Sequence, residues 1–159
     1  DVADGMATCT VVLSNVYGPR QRAGAGAVNI FARALLKGEP VTLYGDGRNV
    51  RNYVHVTDAV HTLMWAGACS PVARGREMRP ERVLCGTGYG TTDEELLRLV
   101  AAEIDATGPE VPDLDVLTQW APARPSDIRS LVVAHRSQRT PLDVGVRMLV
   151  QELRKELGK

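Results

Sequence analysis

A glycine-punctuated stretch before the middle of the chain reads Leu43-Tyr44-Gly45-Asp46-Gly47-Arg48-Asn49-Val50-Arg51-Asn52-Tyr53-Val54-His55-Val56-Thr57-Asp58. One strand-like run ends at Tyr44 and a second begins at Tyr53, and the Asp46-Gly47 dipeptide between them favours a tight turn. The stretch therefore predicts two short strands, with Arg51 held just before the second one. Asp58 predicts the N-terminal cap of a following helix.

The residues before this stretch carry the same alternation of strand and helix patterns. The apolar run Thr8–Leu13 predicts a buried strand, and a loop rich in Gly and Arg follows over residues 17–27. Helical spacing of apolar residues from Val28 predicts a helix that Gly38 ends. Val41–Tyr44 then predicts the strand that enters the glycine turn.

Downstream, the next helix is expected to bury one apolar face, formed by Val60, Leu63, Met64 and Ala68. Arg82–Cys85 predicts a third strand, and Thr92 with Glu95 forms a capping-box pattern at the start of a long helix. That helix is expected to bury Leu96, Leu97, Val100 and Ile104. Val116–Trp120 is a candidate strand, and apolar spacing from Leu142 predicts an amphipathic helix. Strands alternate with helices, so the sequence predicts the α/β class.

Composition argues against several classes of function. The 159 residues suffice for one domain, and 19 Lys and Arg balance 19 Asp and Glu, which gives no net field to attract nucleic acid or an anionic membrane. The three cysteines lack metal-ligand spacing, and no apolar run reaches the length of a membrane span. We therefore expect a single cytoplasmic α/β unit over residues 1–159, with no nucleic acid, membrane or metal partner.

The glycine clusters and tyrosines do not form the motifs of a dinucleotide enzyme. The clusters Gly24-Ala25-Gly26, Gly45-Asp46-Gly47 and Gly86-Thr87-Gly88 each lack the last glycine of G-x-G-x-x-G, since that place holds Asn29, Val50 and Thr91 respectively. No tyrosine is followed four residues later by a lysine. His55, His61 and His135 have no fixed partner nearby in sequence, so each is interpreted as a core or surface histidine.

Two arginines stand at conformationally restricted places. Arg51 lies between a tight turn and a strand, and Arg124 precedes a proline in the segment Arg124-Pro125-Ser126-Asp127. A guanidinium held by a rigid backbone suits bidentate capture of a phosphate. An exposed arginine is more often solvated or ion-paired, so the pattern alone leaves both interpretations open.

Five blocks in order resemble a known family. They are Ser14-Asn15-Val16-Tyr17-Gly18-Pro19-Arg20-Gln21, Ala34-Leu35-Leu36-Lys37-Gly38-Glu39-Pro40-Val41-Thr42-Leu43-Tyr44-Gly45-Asp46-Gly47, Val50-Arg51-Asn52-Tyr53-Val54-His55-Val56-Thr57-Asp58-Ala59-Val60, Gly86-Thr87-Gly88 and Arg124-Pro125-Ser126-Asp127-Ile128. Together they resemble the C-terminal portion of the NAD-dependent epimerase/dehydratase family, the extended short-chain dehydrogenases that act on sugar nucleotides.

The resemblance implies the last strands of a Rossmann-type sheet plus a small α/β substrate-binding domain. It also implies that the cofactor, NAD or NADP, and the catalytic residues belong to an N-terminal Rossmann half, supplied in cis or in trans. This chain alone is expected not to bind the cofactor. The implied ligand is a nucleotide-diphosphate sugar of the UDP or dTDP type.

The resemblance further implies a set of ligand-binding residues, namely Asn15, Ala27, Val28, Thr42, Tyr44, Arg51, Arg124 and Asp127. Asn15 and the helix start at Ala27-Val28 would lie beside the diphosphate, and Arg51 and Arg124 would clamp it.

In the same comparison Thr42 and Tyr44 would line the nucleobase pocket, and Asp127 would face the nucleotide ribose. Two departures from the family pattern are Asn52, where an aspartate is usual, and Leu84, near which an asparagine is usual. They give weight to one alternative, a non-catalytic nucleotide-sugar-binding or partner subunit. A further alternative is a structural interaction module that has lost its ligand.

Overall fold

A computed structural model describes residues 9–69, 81–108, 111, 113–122 and 140–159. The elements in chain order are β1 (Cys9–Leu13), β2 (Asn15–Tyr17), α1 (Ala27–Lys37), β3 (Val41–Tyr44), β4 (Val50–Arg51), β5 (Tyr53–His55), α2 (Val56–Cys69), β6 (Glu81–Cys85), β7 (Thr91–Thr92), α3 (Asp93–Asp105), α4 (Leu114–Leu117), β8 (Thr118–Ala121) and α5 (Leu142–Leu157). Strands mix with helices along the chain, so the predicted α/β class is confirmed.

Parallel pairing dominates the strands that the structure describes. β1 pairs with β6, β2 with β5, and β3 with β8, all in parallel, whereas β4 pairs antiparallel with β7. The strands on either side of the glycine turn, β3 and β4, therefore pair with different partners rather than with each other. The turn is fixed by Asp46, whose Oδ1 accepts a 3.0 Å hydrogen bond from the Arg48 N–H, and by positive φ angles at Gly45 and Gly47.

The main apolar core lies between α1, α3 and α5. Helical spacing predicted the buried faces of α3 and α5, and both are confirmed: the buried residues include Leu96, Leu97, Val100, Ile104, Val146, Leu149, Val150 and Leu153. The predicted capping box is also present, since the Thr92 hydroxyl accepts from the Glu95 N–H at 3.1 Å and the Glu95 carboxylate accepts from the Thr92 N–H at 2.8 Å. Gly38 ends α1 in the left-handed conformation, as predicted.

Helix α5 is attached to elements that lie far away in the sequence. Its Glu156 forms a bidentate ion pair with Arg33 of α1, with donor–acceptor distances of 3.0 and 2.7 Å. Lys159 Nζ donates to the Leu36 carbonyl at 2.6 Å, and the Tyr17 hydroxyl donates to the Leu142 carbonyl at 3.3 Å. These contacts hold α5 against β2 and α1.

The prediction that Asp58 caps α2 is wrong. The helix begins at Val56, directly after β5, and the Nδ1 atom of His55 accepts a 3.4 Å hydrogen bond from the Thr57 N–H in the first turn. Asp58 is buried inside that turn, and its Oδ2 accepts from the Thr140 N–H at 3.1 Å. A side chain that bonds a distant segment can therefore resemble a cap in sequence.

The predicted buried face of α2 is also wrong. Val60, Leu63 and Met64 are 46%, 48% and 67% exposed, and Ala68 is exposed as well. Small residues of α2 are buried instead, namely Ala59, Thr62 and Ala66, and Thr62 accepts a hydrogen bond from the Cys85 thiol of β6. Apolar residues surround this helix on most sides, so periodicity alone does not identify the side that packs.

The candidate strand Val116–Trp120 is only half confirmed. Residues up to Leu117 form the single turn α4, because Asp113 caps it by accepting a 3.0 Å hydrogen bond from the Asp115 N–H. The strand β8 starts at Thr118 and pairs with β3. The predictions for Arg124, Asp127 and His135 lie outside the described residues.

Candidate functional site

A cavity of about 500 Å³ opens between β2, α1, β3 and the β4–β5 segment. Its wall contains six residues that the sequence predicted for ligand binding, namely Asn15, Ala27, Val28, Thr42, Tyr44 and Arg51. They come from four elements, yet they meet around one space. The volume suits a ligand of nucleotide size. Arg124 and Asp127, outside the described part of the chain, keep their roles as predictions.

Helix α1 begins at the wall of this cavity. Gly26 occupies the N-cap position with a φ of 72°, no side chain caps the helix by a hydrogen bond, and the first turn contains no acidic residue. The nearby amide of Asn29 is committed elsewhere, because its Nδ2 donates to the Arg22 carbonyl at 2.9 Å. The partial positive charge of a helix start with these properties favours an anion.

Arg51 enters the cavity beside a carboxylate. Its backbone pairs with Thr91 of β7, and its Nε lies 3.8 Å from Oδ1 of Asp93, the first residue of α3. The Arg51 side chain is 24% exposed and that of Asp93 is 12% exposed, and both line the cavity. At this distance the ion pair is long, so it orients the guanidinium more than it stabilises the fold.

Asn15 is fixed by a double hydrogen bond. Its backbone N–H and its side-chain Nδ2 both donate to the carbonyl of Asn52, each at 3.0 Å. The parallel register of β2 and β5 places Asn15 opposite Tyr53, which also lines the cavity. The side chain of Asn15 is therefore held at the wall rather than swinging freely.

Buried aromatic and polar side chains underlie this wall. The ring of Tyr17 meets those of Tyr53 and His55 edge to face, at centroid distances of 6.4 and 5.5 Å. Burial is the main cause that raises the pKa of both phenols, followed by the charge of Asp58 for Tyr17 and of Asp93 for Tyr53. Both phenols are protonated at neutral pH and are not proton acceptors there.

Sequence reasoning missed two polar residues of the cavity, Tyr53 and Asp93. The signal for Tyr53 was the parallel pairing of its strand with the one that begins at Asn15. The signal for Asp93 was its position directly after Thr91-Thr92, which pairs with the strand of Arg51. Both signals require the strand partners to be known, and a single sequence does not give them.

The described glycine turns do not fit a dinucleotide cofactor. Gly24-Ala25-Gly26 precedes α1, but a long loop separates it from β2, and a Cβ at Gly26 would meet the side-chain amide of Gln21 at 2.5 Å. Gly45-Asp46-Gly47 and Gly86-Thr87-Gly88 each lead into a strand instead of a helix. A pyrophosphate loop requires a tight turn from strand to helix. That this chain alone does not bind NAD stays a prediction.

Neither a metal-binding cluster nor a membrane-spanning helix is found in the part of the chain that the structure describes. No group of three or more His, Cys, Asp or Glu side chains suited to a metal ion occurs among the residues described. Over the same part of the chain, none of the helices has both the length and the apolar character that crossing a membrane requires.

Comparisons with known proteins support a resemblance to the NAD-dependent epimerase/dehydratase family, whereas the assignment to the C-terminal portion of that family stays a prediction. The model of the NAD dependent epimerase/dehydratase family matches residues 2–74. A curated relative, the UDP-glucose 4-epimerase of Mycolicibacterium smegmatis, is 37% identical over 118 residues, which are 73% of this chain and 33% of that protein. The other curated relatives include further epimerases, dehydratases and decarboxylases of nucleotide sugars.

Solved structures of this group share the fold. The UDP-glucose 4-epimerase of Thermotoga maritima, solved with UDP-glucose, has a TM-score of 0.72 at 30% identity and covers 94% of this chain and 46% of its own. MoeE5, solved with UDP-glucose and NAD, has a TM-score of 0.78 at 28% identity, over 98% of this chain and 50% of its own. The chain thus spans about a third of the first curated relative and about half of these structures.

Proposed function

We propose that this chain is the sugar-nucleotide-binding part of an NAD-dependent nucleotide-sugar epimerase or dehydratase. The observation that carries the proposal is the single cavity in which the start of α1, Asn15, Tyr44 and Arg51 meet. A cation, a helix start, an amide and an aromatic ring around one cavity form a binding surface that suits a nucleoside diphosphate. The relatives that match the chain act on ligands of this kind.

The diphosphate would lie against the start of α1 and Arg51. Each charge-assisted hydrogen bond to a phosphate oxygen contributes roughly 1.5–3 kcal/mol, so a few of them account for micromolar binding. Arg124 would complete the clamp. Asp93 would then keep the guanidinium of Arg51 at the cavity wall between binding events.

The nucleobase would lie along β3. Thr42 and Tyr44 alternate with the buried residues Val41 and Leu43, so their side chains share one side of the strand, and all four residues line the cavity. Asp127 would bind a ribose hydroxyl. The same surface accepts uracil or thymine, so the UDP and dTDP families are both expected ligands.

The cofactor and the catalytic residues would come from an N-terminal Rossmann half, in cis or in trans. Parallel sheets are normally covered on both faces, yet Val12 and Leu84, neighbours in the β1–β6 pair, are 46% and 39% exposed. On the other side of that pair, α2 exposes Leu63, Met64 and Trp65. Both surfaces would be covered by strands and helices of the second half.

Calorimetric titration with UDP, UDP-glucose and dTDP tests the ligand. We expect binding of all three, and much weaker binding of uridine, which lacks the phosphates. Arg51→Ala should weaken UDP binding by about 10- to 100-fold. Arg98→Ala is the matched control, because Arg98 is an exposed residue of α3 that pairs with Glu94 outside this cavity.

Three results would separate the alternatives. No heat from any nucleotide on folded protein would favour a structural module without a ligand. Binding that survives Arg51→Ala combined with Arg124→Ala would refute the diphosphate clamp. Nucleotide binding by a protein that never turns over a sugar nucleotide, even with an N-terminal half and NAD added, would indicate a non-catalytic binding subunit.

A further inference from the structure

Asn52 is a wholly buried amide between the two strands that carry Arg51 and Tyr53. Its flanking residues both line the cavity, but Asn52 itself does not. A buried amide has donors and acceptors that must all find partners, so its position is strongly constrained. The partners of Asn52 show what this constraint holds in place.

The backbone carbonyl of Asn52 fixes one side of the cavity. It accepts two hydrogen bonds from Asn15, one from the backbone N–H and one from the side-chain Nδ2, each at 3.0 Å. Any displacement of residue 52 therefore moves the side chain of Asn15 as well.

The side chain of Asn52 fixes the other side. Its Oδ1 accepts from the Thr87 N–H at 2.9 Å, and its Nδ2 donates to the Tyr89 carbonyl at 3.3 Å. The turn formed by these residues leads directly into β7, whose Thr91 pairs with Arg51, and then to Asp93, whose carboxylate faces the Arg51 guanidinium. Through this turn the amide is connected both to the strand partner of Arg51 and to its ion-pair partner.

An amide and a carboxylate are not equivalent at this position. Asn52 accepts with one atom and donates with the other, whereas an ionised aspartate only accepts. An aspartate here would leave the Tyr89 carbonyl facing a buried negative charge, and the turn would have to change shape. The presence of asparagine, which departs from the family pattern, therefore matches the turn that this chain forms.

We propose that Asn52 is the positioning residue of the nucleotide cavity, because one amide joins Asn15, the turn at residues 87–89 and Arg51. The inference rests on the proposed function, since it concerns the geometry of the same site. It assigns to Asn52 no contact with the ligand.

The test compares Asn52→Asp with wild type by UDP titration and by NMR of the ligand-free protein. The dissociation constant for UDP should rise about tenfold in the variant. The side-chain amide signals of Asn15 and the Nε–H signal of Arg51 should shift without ligand. Thr62→Val is the matched control, because Thr62 is also a fully buried polar residue but lies in α2, away from the cavity.

A folded Asn52→Asp protein that binds UDP like wild type, or in which the Asn15 and Arg51 signals do not move, would overturn the proposal. The proposal also fails if Thr62→Val weakens UDP binding equally, since general loss of stability would then explain the effect. Asn52→Ser, read by the same criteria, replaces the aspartate variant if that protein does not fold. Should wild type not bind UDP, the proposed function fails, while the NMR comparison still decides the role of Asn52.

Discussion

Two regions of the molecule differ in how far their apolar side chains are exposed to solvent. In the three-helix layer, formed by α1, α3 and α5, Leu96, Val100 and Leu149 are 0%, 0% and 1% exposed. In the β1–β6/α2 layer, formed by those two strands and that helix, Met64 and Trp65 are 67% and 49% exposed. The first layer completes its own core and supports the cavity. The second layer has apolar residues typical of a protein core, but their side chains are exposed to solvent. Such exposure is expected of a surface that another structural unit buries.

The largest effect should come from matched leucine truncations in the two layers. Leu149→Ala removes a fully buried side chain of α5 and should lower the free energy of unfolding by about 3 kcal/mol. Leu63→Ala removes a side chain that is 48% exposed on α2 and should cost less than about 1 kcal/mol. Urea denaturation measures both. Equal losses would mean that the β1–β6/α2 layer is already packed in this chain.

Replacing either of two helical glycines by alanine should change the stability of the protein, but in opposite directions. A Cβ at Gly145 in α5 would overlap the Tyr17 hydroxyl, so Gly145→Ala should destabilise by about 2 kcal/mol. A Cβ at Gly67 in α2 meets no atom within 4 Å, so Gly67→Ala should stabilise by about 0.5 kcal/mol through helix propensity. Thermal unfolding gives both values, and a destabilising Gly67→Ala would contradict an open α2 surface.

Acid should destabilise the fold through the buried His55. Burial is the main cause that lowers the pKa of His55 below 6.5, and Asp58 opposes it. Because the folded pKa is depressed for a base, the unfolded chain binds the proton more tightly. Stability should therefore be complete above about pH 6.5 and decline below it, with a slope of at most about 1.4 kcal/mol per pH unit.

His55→Gln should flatten that decline between pH 7 and pH 5 in denaturation measured at a series of pH values. His61→Gln, on the exposed side of α2, should leave it unchanged and is the control. A decline that persists unchanged in the His55 variant would exclude this histidine as its cause.

The smallest effect on stability should come from the exposed surface itself. Met64→Ser combined with Trp65→Ser should change the free energy of unfolding by no more than about 0.5 kcal/mol, but it should reduce the fluorescence of a bound hydrophobic dye. Trp120→Ser removes the other tryptophan, which is 57% exposed at the end of β8, and should leave most dye binding intact. Equal dye loss in both variants would show that the β1–β6/α2 layer has no special affinity for apolar ligands.

The same contrast explains which parts of the fold could be predicted from the sequence. Helices α3 and α5 each have one apolar stripe, so periodicity identified their buried faces, and Thr92 with Glu95 identified a helix start. Helix α2 is apolar on most sides, and what it buries depends on neighbours that periodicity does not encode. Asp58 resembled a cap because its partner, the Thr140 N–H, is 82 residues away.

In the candidate site, too, residues within local sequence motifs could be predicted, whereas contacts between segments far apart in the sequence could not. The family resemblance, which rests on local motifs, implied Asn15, Thr42, Tyr44 and Arg51, and the structure brings these four residues to one cavity. Asp93 was missed because its proximity to Arg51 depends on the pairing of β4 with β7. The network around Asn52 likewise depends on a turn 35 residues away.

The attachment of α5 to β2 and α1 has a consequence for the order of events in folding. The bonds from Arg33 to Glu156 and from Leu36 to Lys159 each span 123 residues, and the bond from Tyr17 to Leu142 spans 125. During synthesis the wall of the cavity therefore emerges long before the helix that packs behind it. Contacts of such sequence separation form late and slow the search for the native state. A nascent chain would thus complete the three-helix layer in one late step, once α5 has emerged, and not gradually as it lengthens.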